Sequence, residues 1–598
     1  MSSIYNLETI KTPRLTGLLL DIFTRLLTLP LIGRLILQFL KRKNRVQDVI
    51  SFAETSHSIS DGGELQPLMP LYYPIHEMSK VEKSMHESMV KECPLDLAQL
   101  ADKIATSSST SQEFKHWTIS DYTTQYTNKA ITPSKVIERI ICIIEKMNDK
   151  SIVTHMNVNE LRKQAIESTK RYESGNIAGV LDGVPILVKD EIPVVGYPIT
   201  LGTSFMKEHV TKDIHPIQRL IEEGALIVGK ANQHEIGIGT TGYNLVNGTP
   251  RNPYGKDKYY YTGGSSSGSA AAVAMGLVPL AIGADGGGSI RIPASLCGCI
   301  GLKPTFKRIV VDGNMGCSII AMGPMTNNVD DMALAYSIMA GQTDDDHRHQ
   351  SQKQPPVHLH AYMKGDKSES KPLDGLRIGI FDEHINHADT NVIKATRAAI
   401  EYYKSKGATV VPITLPHLHE IHLAHAITIT TEMFSTMESH YNSSHFYDLS
   451  PETRVSLTIG KSWTASEFLA SQKVRSYAMH HIEDLFRNKV DVILSPATPC
   501  VAPLFKKDVM KCGESNLAQT SALMRYVIHG NLTGIPAIVC PIGYDDETSL
   551  PISLQIQAAH WREDLLLHVA KESEGILKNG IEKPATFVDV LGEGHDPN

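Results

Sequence analysis

The sequence predicts an α/β fold that is preceded by a short helical extension. The chain has 598 residues, of which 41% are hydrophobic and 21% charged, and this is ordinary globular composition. At roughly 150 residues per domain the length allows about four domains, yet large α/β enzymes often use such a length for one. In residues 261–305, two turns rich in Gly and Ser flank a run of small residues typical of a helix and a short apolar run typical of a strand.

Charge and cysteine content exclude several classes of protein. The chain has 58 Lys and Arg against 65 Asp and Glu, a net charge of −7 with His neutral. There is no global basic field to attract nucleic acid, so no nucleic-acid partner is predicted. Eight cysteines are too few for a disulfide scaffold in a chain of this length. We interpret Cys297 and Cys299 as small packing residues in a reducing, intracellular compartment.

The N-terminal segment predicts two short amphipathic helices. Apolar residues recur at helical spacing before Pro30 and again after it, and the second set ends in the basic run 41–45. Charges and the proline interrupt the apolar stretch 15–40, which therefore predicts neither a spanning helix nor a signal peptide. Two interpretations stay open: residues 15–45 lie on an anionic membrane surface, or they pack on the rest of the chain or on a second copy of it.

The chain divides into two predicted regions. Residues 1–110 hold the amphipathic helices and a connector, from about residue 48, whose weak periodicity indicates a loosely wrapped segment. Residues 111–598 form the catalytic domain, in which Thr132-Pro133 opens a predicted helix. The polar stretch 344–372 is predicted to be a surface loop between two halves of one catalytic unit.

The second Gly/Ser turn suggests a nucleophile. A serine that follows a run of backbone amides can attack a carbonyl carbon while those amides hold the oxyanion, and Gly286, Gly287, Gly288 and Ser289 supply four such N–H groups. A phosphate-binding loop is disfavoured because neither turn ends in Gly-Lys-Ser or Gly-Lys-Thr. On composition alone, two tight turns without chemistry remain an alternative.

A serine nucleophile needs a base, and no histidine lies near either turn in the sequence. Lys189 stands at the end of the apolar run 186–188, which predicts a buried strand. A lysine that leaves an apolar strand loses hydration that stabilises its charged form, as a lysine base requires. A surface charge at the end of a strand explains Lys189 equally well at this point.

Four motifs occur in order along the middle of the chain and form a long, specific pattern. They are Pro185-x-x-x-Lys189-Asp190, Gly263-Gly-Ser-Ser266, Asp285-x-Gly-Gly-Ser289, and residues 297–305, which read Cys-Gly-x-x-Gly-Leu-Lys-Pro-Thr. The spacing of 24 residues from Ser265 to Ser289 belongs to the same pattern. In these motifs the sequence resembles the amidase signature family over about residues 134–585. Within that family it resembles the branch of plant-type fatty acid amide hydrolases nearly end to end.

The resemblance implies an amidase-signature fold, in which helices surround a large mixed central β-sheet. It also implies a catalytic triad: Lys189 as the base, Ser265 as a bridging serine on a cis peptide bond, and Ser289 as the nucleophile. The amides of residues 286–289 would form the oxyanion hole. Gly237 falls where relatives line the substrate channel.

The resemblance further implies a substrate, partners and a location. The substrates would be N-acylethanolamines and related fatty acid amides, cleaved to a free fatty acid and an amine without cofactor or metal. The protein would be a homodimer and would contact the endoplasmic reticulum or plasma membrane peripherally through residues 15–45. Two alternatives remain: a soluble small-amide amidase or the amidotransferase subunit that hydrolyses glutamine, and a catalytically inactive protein that binds acyl lipids.

Two further features need an interpretation. Residues 417–425 hold four histidines, and on a helix His422 and His425 share a face. They indicate either a zinc site or merely the polar start of a helix. Arg291, two residues after the candidate nucleophile, is expected to pair with an acidic residue rather than to touch substrate.

Overall fold

The computed structural model describes residues 5–59, 65–107, 114–147, 150–310, 317–342, 354–365, 371–509, 513–577 and 580–592. The strands are β1 (Leu15–Thr16), β2 (His57–Ile59), β3 (Leu65–Pro67), β4 (Val153–His155), β5 (Pro185–Lys189), β6 (Leu226–Ala231), β7 (Leu280–Asp285), β8 (Ile300–Lys303), β9 (Ala321–Thr326), β10 (Arg377–Ile380), β11 (Thr409–Pro412), β12 (Val492–Pro496), β13 (Glu514–Ser515), β14 (Ala537–Tyr544) and β15 (Pro551–Ala558). The helices are α1 (Gly17–Thr28), α2 (Pro30–Lys43), α3 (Gln47–Thr55), α4 (Lys80–Glu92), α5 (Leu97–Ser107), α6 (Ile119–Thr127), α7 (Pro133–Met147), α8 (Val158–Ser174), α9 (His215–Glu222), α10 (Ser267–Ala274), α11 (Arg291–Cys297), α12 (Val329–Met339), α13 (His360–Lys364), α14 (Asp382–Ile385), α15 (Thr390–Ser405), α16 (Leu418–Tyr441), α17 (Pro451–Lys461), α18 (Ala465–Asn488), α19 (Leu517–Leu523), α20 (Ile528–Thr533) and α21 (Glu563–Ser573).

The central sheet has 11 strands in the described residues, in the order β11-β10-β12-β15-β14-β8-β9-β7-β5-β6-β4. The pairs β11/β10, β10/β12, β7/β5 and β5/β6 are parallel. The other neighbours are antiparallel. A mixed sheet surrounded by helices is the predicted α/β architecture, and the prediction is confirmed.

Two adjacent parallel strands position the candidate site. In the β5/β7 ladder Ile186 lies opposite Leu280 and Val188 opposite Ile282. Both strands are buried along their whole length, as their apolar sequences predict. The carboxyl ends of parallel neighbours leave the sheet at the same edge, where chemistry in open α/β sheets is commonly located. Lys189, the last residue of β5, is therefore brought to the edge where β7 ends.

Small side chains allow α10 to cross close to the sheet. All eight of its residues are buried, although it carries two serines and no large side chain. A Cβ added at Gly268 would lie 2.5 Å from the carbonyl oxygen of Ile152, so only glycine permits this approach. The predicted small-residue helix thus fixes the first Gly/Ser turn, which immediately precedes it.

The two predicted N-terminal helices are present as α1 and α2, and Pro30 occupies the first turn of α2, where its missing N–H costs nothing. Leu20 and Leu27 of α1 are buried against Val455 of α17. The opposite face remains open, with eight large apolar residues exposed: Leu18, Leu19, Ile22, Leu29, Leu31, Ile32, Leu35 and Phe39. We call these eight residues the apolar face. None of the helices in the described ranges is long and apolar enough to cross a membrane.

The connector is more regular than the sequence indicates, because it contains α3, α4 and α5. Its weak periodicity has a physical reason: α4 is mostly exposed, with only His86 buried, so few positions need an apolar side chain. The helix predicted to open at Thr132-Pro133 is confirmed as α7. In the polar stretch 344–372, residues 344–353 and 366–370 lie outside the described residues, and the domain boundary near residue 110 stays a prediction.

A buried histidine fastens the connector to the catalytic domain. His76 Nδ1 lies 2.9 Å from Glu483 Oε1 on α18, and His76 Nε2 lies 3.0 Å from Glu82 Oε1 at the start of α4. Its ring stacks on that of His560 with centroids 4.7 Å apart. Burial opposes the charged ring, but the hydrogen bonds to both carboxylates outweigh it and raise the pKa of His76 to about 9. The connector is therefore held by an imidazolium between two carboxylates.

This contact predicts a pH-dependent stability. Because the pKa of His76 is raised in the folded state, its contribution is fully present below pH 6.5 and is lost as the pH rises through about 9. His76→Gln should lower the stability by about 1.5–3 kcal/mol at pH 6.5, the usual worth of charge-assisted hydrogen bonds. It should also remove the stability loss between pH 6.5 and 9.5, measured by thermal unfolding. His57→Gln, at an exposed site of the same connector, should keep the wild-type profile; an equal profile for both variants would contradict the prediction.

Candidate active site

Lys189 is buried at the end of β5, with only 1% of its side chain exposed. Its Nζ donates a hydrogen bond of 2.7 Å to Ser265 Oγ. The same nitrogen lies 2.9 Å from Glu191 Oε1 and 3.5 Å from the carbonyl oxygen of Ala284. A surface role for Lys189, which the sequence left open, is excluded by this burial.

Ser265 lies in the first Gly/Ser turn, at the N-terminal side of α10. The peptide bond between Gly264 and Ser265 is cis. The Ser265 carbonyl accepts hydrogen bonds from the amides of His234, at 3.1 Å, and Ser267, at 2.9 Å. The backbone is thus fixed on both sides of the side chain that contacts Lys189.

Ser289 ends the second turn, and a backbone hydrogen bond joins the two turns directly. The Ser266 amide donates to the Ser289 carbonyl at 3.1 Å. Lys189 and Ser265 are fully buried, whereas Ser289 is only half-buried. The structure therefore brings the turns of Ser265 and Ser289 together beside Lys189, and Ser289 is the most exposed of the three residues.

A buried ion pair shapes the second turn. Asp285 accepts from the Gly288 amide at 2.7 Å and from the amides of Ile290 and Arg291 at 3.2 Å. The Arg291 guanidinium donates to the same carboxylate at 3.0 Å. Burial opposes the charged carboxylate, but Arg291 outweighs it and holds the pKa of Asp285 well below its usual range. The expectation that Arg291 pairs with an acid is confirmed.

The four amides predicted to hold the oxyanion differ in their contacts. The N–H of Gly288 donates to Asp285 at 2.7 Å. The amides of Gly286, Gly287 and Ser289 have no hydrogen-bond acceptor within the described part of the chain. The oxyanion hole stays a prediction, and these three amides are the donors that the structure leaves free for it.

His425 of α16 orients one of these donors. Its Nε2 lies 2.8 Å from the carbonyl oxygen of Gly286, which makes Nε2 the protonated nitrogen of the ring. Burial lowers the pKa of His425 to about 4, so the ring is neutral at ordinary pH. In a trans peptide the N–H points opposite to the carbonyl, so this contact directs the Gly287 N–H away from His425.

Within the ranges that the structure describes, His422 and His425 of the histidine-rich segment do not belong to a group of three or more His, Cys, Asp or Glu ligand atoms close enough to hold a metal ion. Nor is this segment a polar surface turn, since His419, Glu420, His422 and His425 are all buried in α16. Among the described residues, the His and acid side chains spaced closely enough for a metal are His76, Glu483 and His560. In that group, both ring nitrogens of His76 are hydrogen-bonded to carboxylates, those of Glu483 and Glu82.

Gly237 lies against the candidate site. It has φ +78°, and a Cβ added there would be 3.1 Å from Glu191 Oε2 and 3.6 Å from Ser265 Oγ. Glycine thus leaves room for the Glu191 carboxylate. The role predicted for Gly237 in lining a channel stays a prediction.

A cavity whose surface is mostly apolar lies between the N-terminal helices and the helices α16 and α17. It is lined by Leu37 and Leu40 of α2, by residues of α16 and α17, and by Met524. With the solvent at its mouth it has about 1330 Å³ of space not filled by atoms. Two of its lining residues adjoin the turn: added Cβ atoms would lie 3.5 Å from Ile429 Cδ1 at Gly286 and 2.8 Å from Met524 Cε at Gly287.

Sequence reasoning missed Glu191 and His425 as members of this site. Glu191 follows Lys189 by two residues, and an acid so close to a candidate base was an available signal. His425 lies 136 residues after Ser289 in the chain, and no local pattern connects them. Asn531, which donates to the Asp285 carbonyl and carboxylate at 2.9 Å, is similarly remote.

Comparison with known proteins agrees with this geometry. Residues 135–567 match the family model described as Amidase. The chain is 36% identical to "Fatty acid amide hydrolase" of Medicago truncatula, with 99% of this chain and 97% of the relative covered. It is 37% identical to the protein of the same name from Arabidopsis thaliana, with 98% and 96% covered. It is 30% identical to a glutamyl-tRNA(Gln) amidotransferase subunit of Akkermansia muciniphila, with 75% of this chain and 97% of the relative covered.

Solved structures show the same fold. A bacterial aryl acylamidase of the amidase signature family superposes with a TM-score of 0.68 at 24% identity, covering 78% of this chain and 97% of the other. A crystal structure described as amidase superposes with a TM-score of 0.65 at 25% identity, covering 77% and 99%. The fold, the family match over most of the chain and the near full-length relatives agree: the chain belongs to the amidase signature family and is an amide-hydrolysing enzyme.

Proposed function

We propose that this enzyme cleaves N-acylethanolamines and related fatty acid amides to a free fatty acid and an amine. The observation that carries the lipid assignment is the apolar cavity, of which two lining side chains, Ile429 and Met524, lie next to Gly286 and Gly287 in the turn of the candidate nucleophile. A long acyl chain needs an apolar space of this kind. The near full-length relatives named fatty acid amide hydrolase support the same substrate class.

The first half of the reaction forms an acyl-enzyme. Neutral Lys189 accepts the proton of Ser265, which accepts that of Ser289, and Ser289 Oγ attacks the amide carbon. The carbonyl oxygen becomes an oxyanion and is held by the free amides of the turn at residues 286, 287 and 289. Donors that are fixed before the reaction stabilise this charge without any rearrangement of the site. The contacts of Asp285 and His425 with the turn hold its backbone in place in this way.

The second half releases both products. The proton returns through Ser265 to the leaving amine, because an amine must be protonated to depart. Water then attacks the Ser289 ester, with its proton taken by the same relay, and the fatty acid leaves. No step in this sequence calls on a cofactor or a metal ion.

The main alternative is a soluble small-amide amidase or the glutamine-hydrolysing component of an amidotransferase. The amidotransferase relatives align with about three quarters of this chain, whereas the fatty acid amide hydrolases align nearly end to end. Leu37, Leu40 and Lys41 of α2 line the cavity, so the N-terminal extension is part of the candidate substrate site. The contact between Lys189 and Ser265 argues against the other alternative, a catalytically inactive lipid-binding protein.

We further propose that the apolar face rests on a membrane, as the endoplasmic reticulum or plasma membrane would offer. Leu18 and Leu31 are each 73% exposed on neighbouring helices, and basic residues 41–43 end α2. Apolar residues beside basic ones are typical of helices that lie in the interface of anionic membranes. A homodimer, with the first helices at its interface, remains an expectation from the family.

The catalytic assignment predicts the activity of three variants. Ser289→Ala should abolish both hydrolysis of a long-chain N-acylethanolamine in detergent and labelling by a fluorophosphonate probe, because it removes the nucleophile. Lys189→Met and Ser265→Ala should each lower kcat by about 10²–10⁴, the usual contribution of acid–base groups. Wild-type activity confined to a short aryl amide or glutamine would contradict the lipid assignment, and labelling of Ser289→Ala would contradict the nucleophile.

The cavity predicts a chain-length effect. Met433→Trp adds bulk to the cavity wall one turn of α16 beyond Ile429. It should lower kcat/KM at least about tenfold for an 18-carbon acyl amide and leave a short aryl amide within about twofold, since a lost acyl contact of 1.4 kcal/mol is tenfold. Leu469→Trp, at an exposed residue of α18, is the control. Equal losses on both substrates would show that the cavity does not hold the acyl chain.

The apolar face predicts vesicle binding. Replacing Leu18, Leu19, Leu31 and Phe39 by Ser should abolish co-flotation with anionic vesicles, because these side chains supply most of the exposed apolar surface. Val81→Ser and Val195→Ser, at exposed apolar sites elsewhere, should leave flotation unchanged. Unchanged flotation of the fourfold variant, together with conversion of a dimer to a monomer in sedimentation velocity, would assign this face to a second copy instead.

A further inference from the structure

The nitrogen of Lys189 has three neighbours, and only one of them belongs to the predicted triad. Ser265 Oγ lies 2.7 Å away, Glu191 Oε1 2.9 Å away and the Ala284 carbonyl oxygen 3.5 Å away. Both Lys189 and Glu191 are largely removed from water, with 1% and 11% of their side chains exposed. A carboxylate is thus in direct contact with the candidate base.

These contacts fix how the amine faces the serine. An amine nitrogen has three hydrogen positions when charged, and two hydrogens with one lone pair when neutral. Glu191 and Ala284 offer only acceptors, so each attracts an N–H. The remaining position, a lone pair in the neutral amine, is then directed at Ser265 Oγ, from which the proton must come.

We propose that Glu191 is the positioning residue of the catalytic lysine: it directs the Lys189 lone pair at Ser265 and stabilises the ammonium that forms when Lys189 takes the serine proton. This inference rests on the proposed relay and extends it to four members. A carboxylate that orients a base and stabilises its protonated form has the same task in Ser-His-Asp triads.

Glu191 is itself held in place. Its amide donates to Gln233 Oε1 at 3.1 Å. Its second carboxylate oxygen faces Gly237, where an added Cβ would be only 3.1 Å away. Because Gly237 has no side chain, the Glu191 carboxylate has room at this place. This explains why the residue is a glycine even if it does not contact the substrate.

The other ionisable groups around Glu191 have different contacts. The Asp190 carboxylate accepts hydrogen bonds from the Thr200 amide, at 3.0 Å, and from the Thr200 hydroxyl, at 2.9 Å. Lys230 on β6 is within electrostatic reach of Glu191, but its Nζ donates to the Ile192 carbonyl. Burial raises the pKa of the Cys317 thiol, and the negative charges of Glu432 and, more weakly, Glu191 raise it further. Among these groups, Lys230 has a pKa lowered by burial to about 8, so its titration needs a control.

The experiment compares Glu191→Gln and Glu191→Asp with wild type on a short aryl amide and in the rate of fluorophosphonate labelling, across pH. Glutamine keeps an acceptor but removes the charge, so the ammonium formed during proton transfer loses its stabilisation. We expect kcat to fall by about 10- to 100-fold, less than the 10²–10⁴ typical of the acid–base groups themselves because Glu191 acts through Lys189, with KM changed less than about twofold. The acid limb of both pH profiles should move to lower pH, because the protonated lysine is no longer favoured by a carboxylate.

Glu191→Asp keeps the charge but withdraws it by one methylene, so its kcat and acid limb should lie between those of wild type and Glu191→Gln. Glu222→Gln, at an exposed site of α9, should match wild type. Lys230→Met should keep the wild-type position of the acid limb, which separates the titration of Lys230 from that of the relay. Folding of each variant is checked by its thermal midpoint.

An acid limb that stays in place in both Glu191 variants, or moves to higher pH, would overturn the proposal. So would a rise in KM with kcat unchanged, which would make Glu191 a substrate contact. The readouts do not depend on the lipid: a wild-type enzyme that reacts with the probe and the aryl amide but not with an N-acylethanolamine would defeat the lipid assignment alone. A wild-type enzyme unreactive with both would defeat the relay itself.

Discussion

The candidate site depends on one buried carboxylate, that of Asp285. It gathers three backbone amides and the Arg291 guanidinium at the end of β7, and Arg291 in turn donates to Asn531 at 2.6 Å and Gln555 at 2.7 Å. Removing one partner of such a buried pair typically costs about 3–5 kcal/mol, since the other charge is left unpaired. The turn that carries Ser289 is thereby tied to the core. The amides of residues 286, 287 and 289, to which the proposed mechanism assigns the oxyanion, belong to this anchored turn.

The polar site and the apolar cavity are neighbours in the structure. Ile429 and Met524 line the cavity and lie next to Gly286 and Gly287 of the turn that carries Ser289. The cavity also needs α2, which belongs to the extension that carries the apolar face. In the proposed function this arrangement leads an acyl chain from a membrane surface to the nucleophile within one continuous apolar space.

Local sequence could predict those parts of the site that depend on adjacent residues. Ser265, Ser289 and Lys189 lie within motifs, and the apolar runs before Lys189 and Ser289 predict buried strands. His425 and Asn531 could not be predicted in this way, because only the tertiary fold brings α16 and α20 to the turn. The contact of the Gly288 amide with Asp285 could not be predicted for a similar reason: the run of glycines does not show that the side chain of Asp285 accepts from that amide. The helix α4 of the connector could not be predicted from periodicity, because it is mostly exposed and few of its positions need an apolar side chain.

The central claim is that Ser289 carries the fatty acyl group during turnover. The most direct measurement is mass spectrometry of the enzyme quenched in acid during hydrolysis of N-oleoylethanolamine, followed by mapping of the modified peptide. The account predicts an oleoyl ester on Ser289, present in wild type and absent from Ser289→Ala. An acyl group on Ser265 or another residue, or rapid turnover without any acylated protein, would contradict it.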